Sequence, residues 1–316
     1  MNTHKNFLIA ALIPALMGLL NYSCGDKAQA KIPEASPPPV AESEKDSKKS
    51  LSQEFKAYWY AGDAEITSYS LEQARYGELR SGHAVLVYVT EPFLPGKQVK
   101  AERNNASSVP VLKLNSTKKY LTGIYPYSIM SSTFYPVYND QHAIKVSNSI
   151  QEWCGHVYSQ INNREQFEFT SHSYFEGEAD QEEILEKNVL ENEIWNQLRM
   201  APESLPIGNI ELIPSLEFIR TAHIPMKAYK AKTSLSKTLD LSTYTIHYQE
   251  FNRTLAITYS TEFPYTIEEW TDTFKSGYGA NARELVSKAK IKKRIKTPYW
   301  QLNRNKDLIY RDSLGL

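Results

Sequence analysis

The chain has 316 residues, with 36 basic and 36 acidic side chains and a formal net charge of zero. That balance excludes a global field drawing it to nucleic acid or to an anionic surface. The length is enough to bury a core of one large domain or two small ones without help from metals or disulfides.

The first elements concern address. Residues 1–6 are mildly basic, residues 7–20 are an unbroken apolar run, and Asn21-Tyr22-Ser23-Cys24 follows at once. The run is too short to span a bilayer, which needs about 20 apolar residues. It predicts a signal peptide over residues 1–23. A cysteine directly after the small Ser23 resembles the lipobox of bacterial lipoproteins, although Leu20 stands one residue further from the cysteine than in that pattern. The resemblance implies lipidation at Cys24 and attachment to the outer membrane. Gly25-Asp26-Lys27 carries only one acid, which points to the periplasmic face. The alternative is an ordinary secreted protein. Residues 24–52 are rich in Pro, Ala, Ser, Lys and Glu, and they read as a disordered spacer. With Cys24 acylated, Cys154 is the only thiol left and no disulfide framework exists.

A short helix is predicted over 51–60, then strands over 64–76 and 83–91, joined by a glycine-bearing turn at 77–82. The second strand is apolar on both faces (Val85, Val87 and Val89 against Leu86 and Tyr88), which predicts a central, doubly covered position. Residues 95–110 read as loop. Strand signals follow at 111–120, 124–138, 142–148, 151–160 and 166–175, with turns at Asn139-Asp140 and Asn162-Asn163. This spacing predicts an antiparallel meander rather than βαβ units. Residues 180–200 form the strongest helix signal, with Leu185, Val189, Ile194 and Leu198 separated by acids. Strands are predicted at 209–223, 243–251 and 253–260, helices at 265–273 and 282–290, and a closing helical turn at the C-terminus. The acidic stretch 176–193 and the basic stretch 283–296 read as solvated helix faces, or as a docking surface for a protein partner. The fold class is α+β: a single domain over 53–316 with a large, mostly antiparallel, curved sheet, packed by one main helix and C-terminal helices.

Recognisable chemistry is sparse. Histidines 83, 142, 156, 172, 223 and 247 show no metal-ligand spacing, and there is no phosphate loop or serine nucleophile elbow. No cofactor is expected. Glu65, Glu72 and Glu78 flank Arg75 and suggest a cross-strand ion pair. Cys154 and His156 stand two residues apart, so on one strand they share a face and form a candidate thiolate–imidazole pair with Glu152 beside it. The other reading is a small buried cysteine beside a hydrogen-bonded histidine. Gly155 between them suggests a close backbone approach. Tyr120, Tyr125, Tyr127, Phe134, Tyr135 and Tyr138, with Trp153 and Tyr158, line a groove or simply fill half-buried sheet positions.

Residues 58–62 (YWYAG), 65–69 (EITSY), 73–77 (QARYG), 84–92 (AVLVYVTEP), 151–156 (QEWCGH) and 173–176 (SYFE) together resemble a family of exported lipoproteins of the Bacteroidota, over most of 55–316. That family is often labelled "septum formation inhibitor Maf". Maf proteins proper are cytoplasmic nucleotide pyrophosphatases of α/β fold, and their N-terminal Ser-x-Ser-Pro-Arg signature is absent here, so the resemblance carries across no catalytic residue. The resulting expectation is a non-catalytic, lipid-anchored envelope protein of binding or scaffolding type. It would hold an apolar ligand on its sheet through Tyr125, Tyr127, Tyr135, Trp153 and His156, with a lipid or protein partner and no nucleic acid. The alternatives are an envelope hydrolase using Cys154 and His156, or a nucleotide pyrophosphatase.

Overall fold

The computed structural model describes residues 51–138 and 141–316. The expected signal peptide, Cys24, the expected spacer up to residue 50 and the expected turn at Asn139-Asp140 lie outside the described residues. Helix α1 (Gln53–Trp59), capped by the Ser52 hydroxyl, leads into β1 (Ala64–Arg75) and β2 (Glu78–Leu94). Then come β3 (Val99–Lys100), β4 (Val109–Thr122), β5 (Tyr125–Pro136), β6 (Lys145–Glu152), β7 (Gly155–Asn163), β8 (Phe167–Ser173) and β9 (Gln181–Leu185). The chain continues through β10 (Val189–Leu190) straight into α2 (Glu191–Met200), followed by β11 (Gly208–Ile213) and α3 (Leu216–Ala222). The remaining elements are β12 (Tyr229–Lys237), β13 (Leu241–Tyr248), β14 (Arg253–Ser260), β15 (Ile267–Ser276), β16 (Arg283–Thr297) and α4 (Ile309–Ser313).

All sixteen strands belong to one open sheet. Its order runs β10 to β16, then β1, β2 and β4 to β9, with β3 paired to β2 alone. The first strand therefore lies beside the last, Ala64 opposite Thr297, and every other neighbour on the path is local in sequence. Among the described residues only β10 and β11 run parallel. The two edges are joined by residues 186–188, which reach at most about 14 Å. Fifteen strands laid flat would span about 65 Å. The sheet must therefore curl until its edges nearly meet.

The concave face and α2 share the main core. It contains Tyr69, Leu86, Leu112, Ile129, Tyr244, Ile257 and Trp270 from the strands, with Ile194 and Leu198 from the helix. A second cluster fills the gap between the edges: Phe167 and Phe169 of β8 and Ile213 of β11 pack with Leu216 and Ile219 of α3. On the convex face, Leu314 and Tyr299 from the C-terminal segment cover Ile66, Val87 and Val89. That cover explains why β2 is apolar on both faces, and β2 does lie near the middle of the sheet.

Helix α2 is short and polar, yet enclosed. Arg199 forks onto Glu65 of β1, with Nη1–Oε1 at 2.6 Å and Nη2–Oε2 at 2.8 Å, and Tyr58 donates its hydroxyl to the same carboxylate. Glu191 accepts both Nη atoms of Arg253 on β14 at 2.6 and 2.8 Å, and Arg253 also bonds Asp272 of β15. Glu193 caps its own helix through the Leu190 amide at 3.1 Å and takes the Ala143 amide and His142 Nδ1 ahead of β6. Asn196 donates to the Leu112 carbonyl of β4 at 2.7 Å. Buried charges survive only when paired in this way.

Several predicted elements take another form. Residues 181–185, expected in a helix, instead form β9, because β8 offers an unpaired edge whose backbone groups need partners. The acidic stretch is therefore not one solvated helix face, and Glu191 and Glu193 are buried. The expected helices at 265–273 and 282–290 are β15 and β16. Lys288, Lys290 and Lys292 alternate with the inward Ser287 and Ala289, and Glu72 and Glu269 stand opposite Lys288 and Lys290. Residues 209–223 divide at Pro214, after which Ser215 caps α3 through the Phe218 amide at 3.3 Å. The turn after β1 is Tyr76-Gly77 alone, and the strand β12 had no counterpart in the sequence reading. Mostly β with four helices, the architecture agrees with the α+β class.

Arg199→Met should lower the unfolding free energy by about 3–5 kcal/mol by stranding Glu65, measured by urea denaturation. Burial alone would raise the Glu65 and Glu191 carboxyls, but Arg199 and Arg253 outweigh it and hold both below the ordinary 4.5. Asp272 shifts the other way, since burial raises it more than Arg253 lowers it. Glu65 and Glu191 therefore take up protons more readily in the unfolded chain. Their contribution is intact above 4.5 and is lost as pH falls through their lower folded values, so the melting temperature should drop on acidification below 4.5.

Candidate functional site

The antiparallel meander puts the β1–β2, β4–β5, β6–β7, β8–β9 and β15–β16 turns on one rim of the curled sheet. The β11–β12 connection, which carries α3, reaches the same rim. Between α3 and the inner face of β7 and β8 lies a cavity of about 820 Å³. Strand alternation turns Val157, Ser159, Phe169 and Ser171 into it, and α3 supplies Leu216 and Ile219, with Met226 just beyond. The mouth is polar and charged: Arg75 and Tyr76 from the β1–β2 turn, Glu178 from the β8–β9 loop, Arg220 and His223 from the end of α3.

These mouth residues hold one another. Arg220 Nη1 and His223 Nδ1 both reach Glu178 Oε1 at 2.9 Å, and the Arg220 guanidinium lies over the Phe175 ring at 4.6 Å. Arg75 Nη1 donates to the Thr221 carbonyl at 2.9 Å, and its guanidinium lies 4.3 Å above Tyr76 and 5.4 Å above Tyr127. The expected ion pair of Arg75 with its neighbouring acids does not form. Glu65 is taken by Arg199, and Glu78 pairs with Arg80.

Of the residues singled out in the sequence, Arg75, Tyr127, Glu152 and Cys154 line the cavity. Tyr127 stacks on Tyr120 at 5.1 Å and shares a hydroxyl contact of 2.7 Å with Tyr76. Tyr125 and Trp153 lie 6.5 Å apart outside the cavity, with Trp153 69% exposed on the rim. Tyr135 is buried elsewhere, bordering a separate cavity of about 310 Å³ with Phe55 and Met200, where its hydroxyl accepts from Gln197.

Cys154 and His156 do not share a strand face. Trp153-Cys154 is the two-residue turn between β6 and β7, with Glu152 opposite Gly155. His156 is exposed on the outer face of β7, beside Tyr158 and opposite the buried row Val157 and Ser159. The turn forms because Glu152 accepts the Cys154 amide at 2.7 Å and Gly155 takes a positive φ of 153°. A Cβ at Gly155 would stand 2.7 Å from Tyr174 Cδ1, which is the close approach expected of that glycine. Cys154 itself is exposed, not buried. Glu152, by hydrogen bonding and by its charge, raises the thiol above its ordinary value, the opposite of what a thiolate nucleophile needs.

Among the described residues no group of three or more His, Cys, Asp or Glu side chains could hold a metal ion, and no helix is long and apolar enough to cross a membrane. Compared with known protein families, with curated proteins and with solved structures, the chain matches none.

The sequence reading missed Arg220, Glu178, His223, Phe169, Ile219 and Met226. Pro214-Ser215 was the available signal, a strand stop followed by a helix cap, which would have separated α3 from β11. Nothing local told that α3 would face β8.

Alkylation of Cys154 by iodoacetamide should go to completion, since the thiol is exposed, with a pH–rate midpoint above 9.0. A midpoint near neutrality would restore a nucleophilic role.

Proposed function

We propose that this protein is a non-catalytic binding protein of the cell envelope that takes an amphipathic, chain-bearing ligand into the cavity beside α3. The observation that carries this reading is the cavity itself. Its volume of about 820 Å³ lies in the range of small-molecule sites, and its walls divide into an apolar interior and a charged mouth. An apolar chain gains by leaving water for the Phe169, Leu216, Ile219 and Met226 wall, while a polar end stays at the mouth. This relocates the expected ligand surface from the aromatic row around Tyr125 and Trp153 to the gap between the sheet edges.

The hydrolase alternative receives less support, because Cys154 and His156 lie apart and the thiol is raised. The antiparallel meander also lacks the alternating strand–helix order of a Maf pyrophosphatase. The address belongs to the same proposal: Cys24 carries the lipid that attaches the protein to the periplasmic side of the outer membrane.

Titration with a dansylated fatty acid should show saturable fluorescence enhancement. Ser171→Phe, which fills the cavity from a small inward position, should weaken binding at least about tenfold, whereas Trp153→Ala should not. Equal loss in both would return the site to the aromatic row. Separately, Cys24→Ala should move the protein from the membrane fraction to the soluble fraction, and retention in the membrane would defeat the anchor.

A further inference from the structure

The charges around the cavity mouth are not all matched. Arg220 has Glu178, which also holds His223. Glu152 takes the Cys154 amide, and Glu183 stands exposed on the edge strand β9. Among the described residues Arg75 has no carboxylate within ion-pair distance. Its Nη2 meets only the hydroxyls of Tyr76 and Tyr127, at 3.3 Å each. The Nε atoms of both Arg75 and Arg220 are buried without an acceptor among the described residues.

Both arginines border one small crevice of about 10 Å³, together with Tyr127, Glu152, Gly155 and Phe175. The large cavity shares both arginines, Tyr127, Glu152, Val157 and Phe175 with it, so the two spaces adjoin. A space of this size accepts about one polar atom. A buried N–H left without an acceptor is costly, and a charged acceptor makes the strongest hydrogen bond to a guanidinium. A tetrahedral phosphate, with three oxygens and up to two charges, is too large for the crevice, and its second charge would stand against Glu152 at the crevice and Glu178 and Glu183 in the adjoining cavity. A monoanionic carboxylate places one oxygen in the crevice and leaves its chain for the apolar wall.

We propose that the Arg75–Arg220 corner recognises the carboxylate of a single-chain acyl ligand, so that the cavity selects fatty-acid-like anions over neutral lipids. This rests on the binding reading above and adds the head group to it.

The test compares 11-(dansylamino)undecanoic acid with its methyl ester, titrated into the full chain at neutral pH. The acid should bind about tenfold more tightly or better, as a charge-assisted hydrogen bond implies. Arg75→Gln and, separately, Arg220→Gln should bring the acid-to-ester ratio to within about twofold. Circular dichroism identifies a variant that fails to fold, and the other variant then decides the matter. Equal binding of acid and ester by the unaltered protein overturns the carboxylate assignment and leaves the binding reading standing. Binding of neither overturns the binding reading itself. An undiminished ratio in the folded variants removes the arginines from the assignment. Displacement of the probe by excess acetate would assign the corner to a small free carboxylate and overturn the acyl assignment.

Discussion

The structure depends on a ten-residue polar helix enclosed by a curled sheet, and on the two arginine–glutamate forks that make this enclosure tolerable. A curled sheet of this width has an interior that side chains from the strands alone do not fill. Helix α2 fills it, but its sequence, ENEIWNQLRM, has few apolar residues to offer. The remaining positions are accommodated by ties that radiate outwards: Glu65 on β1, Arg253 and Asp272 on β14 and β15, Leu112 on β4, and the segment before β6. Strands on both sides of the central β16–β1 pair are thereby fastened to one element. These bonds contribute less to net stability than to position, because burying the charges offsets much of their attraction. They hold α2 against strands on both wings, while the short link between the sheet edges forces the curl that leaves α3 and the cavity their place.

Much of the meander was legible because strand signals are local. Apolar patterning and turn residues marked β1, β2, β4, β5 and β8, and residues 51–60 read as the helix found as α1, while the strand expected over 151–160 ran across the turn between β6 and β7. The failures have a common physical source. Residues 282–290 contain Ala, Glu, Leu and Lys, which are good helix formers, yet their alternation of inward and outward positions is satisfied only beside β1 and β15. Residues 181–185 become a strand because β8 lacks a partner, a fact no reading of those five residues contains. The buried fate of Glu191, Glu193 and Arg199 was equally invisible, since their partners lie far away in sequence.

The candidate site was legible in still smaller part. Arg75, Tyr127, Glu152 and Cys154 were singled out and do reach the cavity, but for reasons of turn placement rather than as a cross-strand ion pair, an aromatic row or a catalytic dyad. A difference of one turn separates the two readings of Cys154 and His156: two residues apart on a strand they share a face, whereas a hairpin at Trp153-Cys154 sends His156 outward. The apolar wall comes from α3 and β8, which meet only because the sheet edges converge. A binding site built from tertiary closure leaves no spacing motif.

The pairing of β1 with β16 has a consequence for how the chain reaches its fold. Each wing of the sheet assembles from neighbours in sequence, but the ladder that joins them sets residues 64–72 against residues 288–297. Synthesis delivers β1 first and β16 near the end, so β1 waits with one edge bare until almost the whole chain has arrived. During that interval α2 has part of its enclosure but lacks the partners on β14 and β15. The molecule is thus a sequential meander whose starting point has been rotated: new termini opened within residues 186–188, with the old ones joined beside the β1–β16 ladder, would put every antiparallel neighbour next to its partner in sequence.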